Sequence, residues 1–284
     1  MKDIQSQSDS RRIAIDKVGV KHVRFPLRVK TCGGGDQHTV AEIDMSVNLP
    51  HQFRGTHMSR FLEVLNSHDH ELDRESFFEI LRTMRERLRA EESHLEMRFP
   101  FFVEKSAPVT GAKSLFGVEA IFIGEARGPL SEVNGDSGEV ECEFTLGVRV
   151  PVKTLCPCSR EISDRGAHNQ RGIMTVFIRF TGDYWIEELV TLIEAAASAP
   201  IYPLLKRPDE KFVTEQAYDH PRFVEDMVRG IAVRLEEDDR VLWYTVDAEN
   251  MESIHNHEAW AYIERDLTAR RETSQRAKSA KAEG

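Results

Sequence analysis

The chain has 284 residues, of which 40% are hydrophobic and 30% charged, so it can build one large or two small domains around a real core. Its formal net charge of −10 argues against nonspecific nucleic-acid binding, because nucleic-acid phosphates select basic surfaces. No run of residues approaches the roughly 18 consecutive apolar positions of a membrane span, and the polar start is unlike a secretory signal. We therefore expect a cytoplasmic protein with no nucleic-acid or membrane partner and with reduced cysteines.

The first half of the chain predicts the element order ββααββ. Two strand-like segments, "VKHVRFPLRV" and "TVAEIDMSVNL", flank the glycine turn "TCGGGDQ", which is a hairpin signal. Helical segments follow at "SRFLEVL" and "ELDRESFFEILRTMRERLRA", and then strands at "SHLEMRFPFFVEK" and "AKSLFGVEAIFIGEA". In the longer helix, Phe77, Leu81, Met84 and Leu88 recur at helical spacing, which is typical of a face that packs on the core.

The second half repeats this order after the turn-rich segment "RGPLSEVNGDSGE", a predicted linker. Strands are predicted at "VECEFTLGVRVPVKTL" and "GIMTVFIRF", then helices at "DYWIEELVTLIEAAASA", "PDEKFVTEQAYD" and "PRFVEDMVRGIAVRLEED", and closing strands at "RVLWYTVDAEN" and "HNHEAWAYIE". The pattern predicts an α+β fold of two tandem ββααββ modules, residues 19–128 and 138–266, with antiparallel sheets and helices on one face. Residues 1–18 and 267–284 are predicted to be flexible tails.

The stretch "TLCPCSREISDRGAHNQRG" (154–172) carries the most chemistry. A disulfide between Cys156 and Cys158 is disfavoured, because a C-x-C pair is awkward to bridge and the expected compartment is reducing. A structural zinc knuckle usually has two cysteine pairs, whereas a catalytic metal site needs only three protein ligands and an open position.

Ligands for such a catalytic site can come from distant segments. His168 follows the cysteine pair, Glu210 begins a predicted helix and His255 begins the last predicted strand. A thiolate, a carboxylate and an imidazole suit a divalent ion. Spacing alone leaves open whether these residues meet, and a lone histidine or glutamate is more often an ordinary surface residue.

Six phrases in the same order together resemble the type IB GTP cyclohydrolase I family. They span residues 19 to about 262 and are "GVKHVRFPL" (19–27), "GTHMSRF" (55–61), "PVKTLCPCSREIS" (151–163), "GAHNQRG" (166–172), "YPLLKRPDEKFVTEQAYD" (202–219) and "PRFVEDMVR" (221–229). The resemblance implies a tunnelling fold, in which ββααββ modules form barrels between subunits, and a homotetramer.

The resemblance also implies a set of site residues. The metal ligands would be Cys156, Glu210 and His255, holding zinc, manganese or iron, with no organic cofactor. Cys158 and His168 would line the same site, and Cys156, Cys158 and His168 would be the catalytic residues. Glu225 would anchor the guanine of GTP, and basic residues would bind the triphosphate: Lys153, Arg160, Lys206 and Arg207, with His57 and Arg60 approaching from the other module or a neighbouring subunit.

The implied reaction converts GTP and water to 7,8-dihydroneopterin triphosphate and formate, the first step of folate biosynthesis and of 7-deazaguanine precursor biosynthesis. Two alternatives remain at this point. One is a tunnelling-fold nitrile reductase of the queuosine pathway, in which a cysteine such as Cys158 attacks the substrate and NADPH supplies hydride. The other is a purine-, pterin- or zinc-binding protein without turnover. Cys32, Cys142 and His257 are interpreted as structural residues.

Overall fold

A computed structural model describes residues 10–129 and 139–271 of the chain. These residues separate into two compact units. Unit 1 comprises the described residues up to Pro100 and those from Ile121 to Thr145, and unit 2 comprises Phe101–Ala120 and the described residues from Leu146 onwards.

Unit 1 is a sheet with two main helices. Its elements are β1 (Ile15–Lys30), β2 (Asp36–Leu49), α1 (Met58–Ser67), β3 (Glu71–Leu72), α2 (Arg74–Leu88), β4 (Glu92–Ser106) and β5 (Lys113–Arg127), the last two being strands that also contribute residues to unit 2. The strands follow the order β3-β1-β2-β4-β5. The sheet is mixed, because β3 runs parallel to β1 whereas β2 pairs antiparallel with β1 and β4.

The core of unit 1 follows from two sequence periodicities. Alternate residues of β2 from Ala41 to Leu49 are buried, as expected for a strand with one face on a core. In α2 the stripe of residues at helical spacing is buried as predicted, and its first residue, Phe77, is fully buried. The Phe77 ring packs edge-to-face on Phe122 and Phe144, with centroid distances of 6.2 and 5.2 Å, a favourable geometry for aromatic pairs.

Unit 2 also has helices between two pairs of strands, but its described residues form four helices where those of unit 1 form two. Its elements are β6 (Glu141–Leu155, of which the first residues belong to unit 1), α3 (Pro157–Ile162), β7 (Asn169–Phe180), α4 (Ile186–Glu194), α5 (Arg207–Asp219), α6 (Val224–Glu237), β8 (Val241–Asn250) and β9 (Ala259–Asp266). Strands β6 to β9 lie in chain order and pair antiparallel. Helix α6 packs on β8 and β9 through its buried apolar face.

The predicted α+β fold is confirmed, but the second repeat has three main helices between its strand pairs instead of two, and two short elements were not predicted. The two-residue strand β3 was not predicted, and neither was α3, whose residues were assigned to a loop. A helix begins there because Pro157 occupies its first position, where a missing N–H costs nothing. Among the helices of the described ranges, none combines the length and hydrophobicity that a bilayer crossing requires.

The described residues of the two predicted tails include the start of a strand and buried side chains. Strand β1 begins at Ile15, inside the predicted N-terminal tail. In the predicted C-terminal tail, Leu267 and Arg271 are buried, and the Arg271 guanidinium donates to the backbone oxygens of Glu236 and Asp238 at 2.8 Å each. Residues 1–9, 272–284 and most of the predicted linker (130–138) lie outside the described residues.

The start of α2 is fixed by a capping box. The Asp73 carboxylate accepts from the Ser76 backbone N–H at 2.9 Å, and Ser76 Oγ accepts from the Asp73 backbone N–H at 2.9 Å. Lys30 Nζ also lies 2.9 Å from Asp73 Oδ2. Although partial burial works to raise the pKa of Asp73, these hydrogen bonds and the lysine charge lower it overall.

We expect Asp73→Ala to lower the free energy of unfolding by about 1 kcal/mol, the usual effect of losing an N-cap side chain. Because the pKa of Asp73 is lowered in the folded protein, this stabilisation is present at neutral pH and is lost as the pH falls through the folded-state pKa. Denaturant unfolding at pH 7 measures the difference. Glu79→Ala, at an exposed position of the same helix, is the control, and equal stabilities of the two variants would contradict the assignment.

Candidate functional site

The cysteine-rich stretch lies at one end of the unit 2 sheet. Antiparallel pairing of β6 with β7 places Leu155 opposite Asn169. The next residue on each side is therefore Cys156 or His168, and the Cys156 backbone N–H donates to the His168 carbonyl oxygen at 3.1 Å. Strand register thus brings together two residues that are separated by the α3 segment.

Helix α3 is anchored to both of these residues through Ser159. The Cys156 sulfur accepts from the Ser159 backbone N–H at 3.5 Å and so caps the helix. Ser159 Oγ accepts from the His168 backbone N–H at 3.1 Å and donates to the Cys156 carbonyl oxygen at 3.2 Å. Cys156 is half-buried and Cys158, in the first turn, is exposed, and both are free thiols.

The His168 ring is oriented by a buried polar pair. Its Nδ1 lies 2.9 Å from Gln170 Oε1, while Gln170 Nε2 donates to Thr154 Oγ1 at 2.8 Å. Gln170 and Thr154 face each other across β6 and β7 and are buried. Because the amide NH₂ group is directed at Thr154, the amide oxygen accepts from an Nδ1–H, and the lone pair of neutral His168 is on Nε2.

The start of α6 is attached to the same end of β6. The Arg222 backbone N–H donates to the Leu155 carbonyl oxygen at 3.0 Å, next to Cys156. Glu225 follows in the first turn of α6 and is exposed. The Arg160 guanidinium of α3 lies 4.6 Å from the Tyr218 ring centroid, near the end of α5. The ends of β6, α5 and α6 therefore converge around α3.

Lys153 lies two residues before the end of the paired part of β6. Its backbone pairs with Ala199, through hydrogen bonds of 3.1 and 3.3 Å. Its side chain is half-buried, and burial lowers the pKa of the Lys153 ammonium. A less strongly hydrated ammonium gains more from an anionic ligand than one in bulk water.

The start of α5 carries three of the predicted site residues, Lys206, Arg207 and Glu210, and all three are exposed. Between them lies Asp209, which is fully buried and whose Oδ2 accepts from the Lys206 backbone N–H at 2.9 Å. Burial works to raise the pKa of Asp209, but the donors that surround its carboxylate hold this pKa well below its ordinary value.

Glu210 lies in the first turn of α5, eight residues before Tyr218, the contact of Arg160. Eight residues correspond to about 12 Å along a helix axis.

His255 lies in the turn between β8 and β9, at the same end of the sheet as Cys156. The turn starts where the Met251 backbone N–H donates to the Arg171 carbonyl oxygen at 3.1 Å. The His255 side chain is exposed, with Nε2 3.5 Å from Glu252 Oε2, and its ring stacks on His257 with 5.0 Å between centroids. His257 is exposed as well, so it belongs to this turn and not to the core.

The Asn250 side chain, at the end of β8, lies against Gly172 of β7. A Cβ atom on Gly172 would lie 2.5 Å from Asn250 Oδ1, so a larger residue there would require the buried Asn250 side chain to move.

The predicted metal ligands lie on three different segments of unit 2. Among the described residues, no three histidine, cysteine, aspartate or glutamate side chains lie close enough to hold a metal ion. Cys156 and the His255 turn share one end of the sheet, and Glu210 lies in the first turn of α5. The donor chemistry suits a divalent ion, but the described residues of a single chain do not form the three-ligand site, and the ligand assignment stays a prediction.

Two of the predicted substrate-binding residues belong to unit 1. His57 precedes the first residue of α1, and Arg60 Nη1 donates to the Arg87 carbonyl oxygen at 3.2 Å. Their role at the site stays a prediction.

Sequence reasoning missed the residues that support the site. Gln170 and Thr154 could have been found by aligning the two alternating strands, because both fall on the buried side of the pair. Asp209 carried a signal in "KRPDE", an acidic residue three positions after a helix N-cap. Ser159 had no signal, because α3 itself was not predicted.

Comparison with known proteins identifies relatives over nearly the whole chain. The family model described as "Type I GTP cyclohydrolase folE2" matches residues 1–261. The GTP cyclohydrolase FolE2 of Nitrosococcus oceani is 54% identical over 266 residues, covering 94% of this chain and 96% of the relative. The protein of the same name from Methylococcus capsulatus is 56% identical over 265 residues, covering 93% and 94%.

Among solved structures, a urate oxidase from Bacillus sp. TB-90 matches with a TM-score of 0.51 and 8% sequence identity, covering 89% of this chain and 98% of that chain. At this identity the likeness concerns the fold alone, and it agrees with the tunnelling-fold class predicted from the sequence.

We expect Gln170→Leu to release the His168 ring from its single tautomer, because the variant removes the acceptor of the Nδ1–H. In the wild-type protein, neutral His168 should be protonated on Nδ1, and in the variant both tautomers should be populated. Long-range ¹⁵N–¹H NMR of histidine-labelled protein distinguishes the two ring nitrogens. Gln170→Glu, which keeps an acceptor at the same place, is the control. A Gln170→Leu spectrum identical to that of the wild type would contradict the assigned orientation.

Proposed function

We propose, since the chain belongs to the type I GTP cyclohydrolase FolE2 family, that it is a type IB GTP cyclohydrolase I. The reaction takes GTP and water to 7,8-dihydroneopterin triphosphate and formate. Relatives with more than half of their residues identical bear the name GTP cyclohydrolase, and no observation of the site favours the reductase or the non-catalytic alternative. The product would serve folate and 7-deazaguanine precursor biosynthesis.

One geometric observation supports this function best. A thiol, an imidazole with a free Nε2 and the first turn of α6 converge at the end of β6, through the backbone hydrogen bonds of Cys156 and Leu155. A purine held at the start of α6 would be within reach of groups that can move protons. The site is open to solvent, because Cys158 and Glu225 are exposed, as a site that admits a nucleotide must be.

Glu225 is the proposed anchor of the guanine base. A carboxylate can accept hydrogen bonds from both the N1–H and the 2-amino group of guanine, and such charge-assisted pairs are the strong ones. Adenine lacks this pair of donors, so a site built on them rejects it by leaving the carboxylate unpaired. Glu225 lies in the first turn of α6, where an acidic side chain interacts favourably with the helix dipole.

His168 is the proposed acid–base group. In the reaction, water adds to C8 of the imidazole ring and the ring opens. Hydrolysis of the resulting formamide releases formate, and the rearranged ribose closes onto the two nitrogens as the new ring, with loss of one water. Each step needs protons added to or removed from nitrogen and oxygen atoms. Neutral His168 presents the Nε2 lone pair for this work, since Gln170 holds Nδ1 in its protonated form.

Basic residues at two places are proposed to bind the triphosphate. Lys153 and Arg160 belong to the β6–α3 end, and Lys206 and Arg207 to the start of α5. Phosphate oxygens accept strongly from ammonium and guanidinium groups, so these four cations would attract the triphosphate locally although the net charge of the chain is −10. His57 and Arg60 are proposed to contribute from unit 1 or from a neighbouring subunit.

The metal ligands and the homotetramer are proposed from the family resemblance alone. Cys156, Glu210 and His255 are proposed as ligands of zinc, manganese or iron, but because they do not meet in the described chain we assign no step of the reaction to an ion. A homotetramer, implied by the family resemblance, would supply second copies of these donors.

We expect the purified protein to release formate and a fluorescent pterin (after oxidation) from GTP, and Cys156→Ala to lower kcat/KM by at least about 100-fold. Chelator-stripped protein reloaded with single metals tests the ion in the same assay. Cys142→Ala, a half-buried cysteine outside the site, should stay within about twofold of wild type. Folded, metal-loaded protein that releases no formate would contradict the proposed function.

We expect Glu225→Gln to raise the KM for GTP by about 10- to 100-fold, because an amide can accept from only one of the two guanine donors. The wild-type protein should prefer GTP over inosine triphosphate, which lacks the 2-amino group, and the variant should lose most of this preference. Glu237→Gln, at the exposed end of the same helix, is the control. An unchanged preference in Glu225→Gln would place the guanine elsewhere.

A further inference from the structure

The tip of the β4–β5 hairpin, residues 107–112, is bonded to the start of α5. Both belong to unit 2. Asp209 Oδ1 accepts from the backbone N–H groups of Val109 and Thr110 at 2.9 Å each, and Asp209 Oδ2 accepts from Thr110 Oγ1 at 2.6 Å. With the Lys206 backbone N–H at 2.9 Å, one buried carboxylate links the hairpin tip to the first turn of α5.

The same hairpin also holds the segment that leads into α5. The Lys105 side chain of β4 is only 8% exposed, and its ammonium is paired with the Glu194 carboxylate. Lys105 Nζ donates to the Ile201 carbonyl oxygen at 2.6 Å and lies 4.9 Å from the Tyr202 ring centroid. Residues 201–209 are therefore fixed to the hairpin at both ends.

These hydrogen bonds hold the exposed residues at the start of α5, which make few packing contacts of their own. Leu204, Lys206, Arg207 and Glu210 are exposed, so packing contributes little to their positions. Tyr202 and Leu205 pack on a small cluster of Ala199, Val213 and Ala217. The positions of the exposed Lys206 and Arg207 thus depend largely on the hydrogen bonds of Asp209. Hydrogen bonds to a buried carboxylate are shorter and fix the positions of their donors more closely than surface contacts do.

We propose that the hairpin tip holds the start of α5 in place for binding of the substrate triphosphate, with Asp209 and Thr110 as positioning residues. This inference rests on the proposed function, because it takes Lys206 and Arg207 as phosphate-binding residues. Neither Asp209 nor Thr110 contacts the nucleotide in this scheme. Thr110 acts from the hairpin, more than 90 residues away in sequence, through the Asp209 carboxylate.

Thr110→Val is the variant that tests the proposal most cleanly. It keeps the shape of the side chain and the backbone N–H bond but removes the hydroxyl, one of four donors to the carboxylate. We expect the KM for GTP to rise about 3- to 10-fold with kcat within about twofold, a change that corresponds to the loss of one ordinary hydrogen bond. Thr110→Ser, which restores the hydroxyl, should recover the wild-type KM.

Two further measurements separate positioning from a general structural role. Guanosine lacks phosphates, so its equilibrium dissociation constant, measured by calorimetry, should be unchanged in Thr110→Val, while that of GTP should rise in step with KM. Lys113→Ala, which removes an exposed ion pair with Glu104 on the same hairpin, should leave both constants unchanged. A loss of affinity that is equal for GTP and guanosine, or a wild-type KM in Thr110→Val, would overturn the proposal.

Hydrogen–deuterium exchange keeps this test independent of the reaction. Peptides covering residues 204–212 should exchange faster in Thr110→Val than in the wild-type protein, and at the wild-type rate in Thr110→Ser. If wild-type protein released no formate from GTP, the proposed function would fail while faster exchange still supported the link between hairpin and helix. Unchanged exchange in Thr110→Val would refute that link whatever the activity.

Discussion

The pairing register of β6 with β7 is the constraint on which the candidate site depends. Because Leu155 lies opposite Asn169, Cys156, which follows β6, must lie next to His168, which precedes β7. A slip by one residue would turn Thr154 and Gln170 from the buried side to solvent, which alternating strands resist strongly. The same register aims the Leu155 carbonyl at Arg222 and so brings α6 to the cysteine pair.

A second constraint acts at the opposite end of α5. The buried Asp209 carboxylate ties the helix start to the hairpin tip, and the apolar cluster beneath α5 holds its middle. The start of α5, which carries Glu210, is thus positioned by contacts that are separate from the hydrogen bonds around Cys156.

The fold was largely predictable from the sequence because its elements carry clean periodicities. The alternation in β6 and the helical stripe around Phe77 both correspond to buried faces. The parts that were missed depend on contacts between residues far apart in sequence. Helix α3 is shorter than a stable isolated helix and exists because Ser159 is bonded to both Cys156 and His168. Arg271 is likewise buried because it donates to carbonyl groups at the end of α6. No pattern in the sequence around Arg271 predicts these contacts.

The placement of residues 101–120 has a consequence for how such a protein can be built by duplication. The two ββααββ repeats suggest cassettes that recombination could exchange. However, the hairpin that holds the start of α5 is encoded in the first repeat, while Asp209 and Glu194, its partners, are encoded in the second. A second repeat transplanted alone would carry a buried aspartate without most of its donors. Exchange of one repeat without the other would therefore break these contacts, even though each repeat has its own complete set of strands.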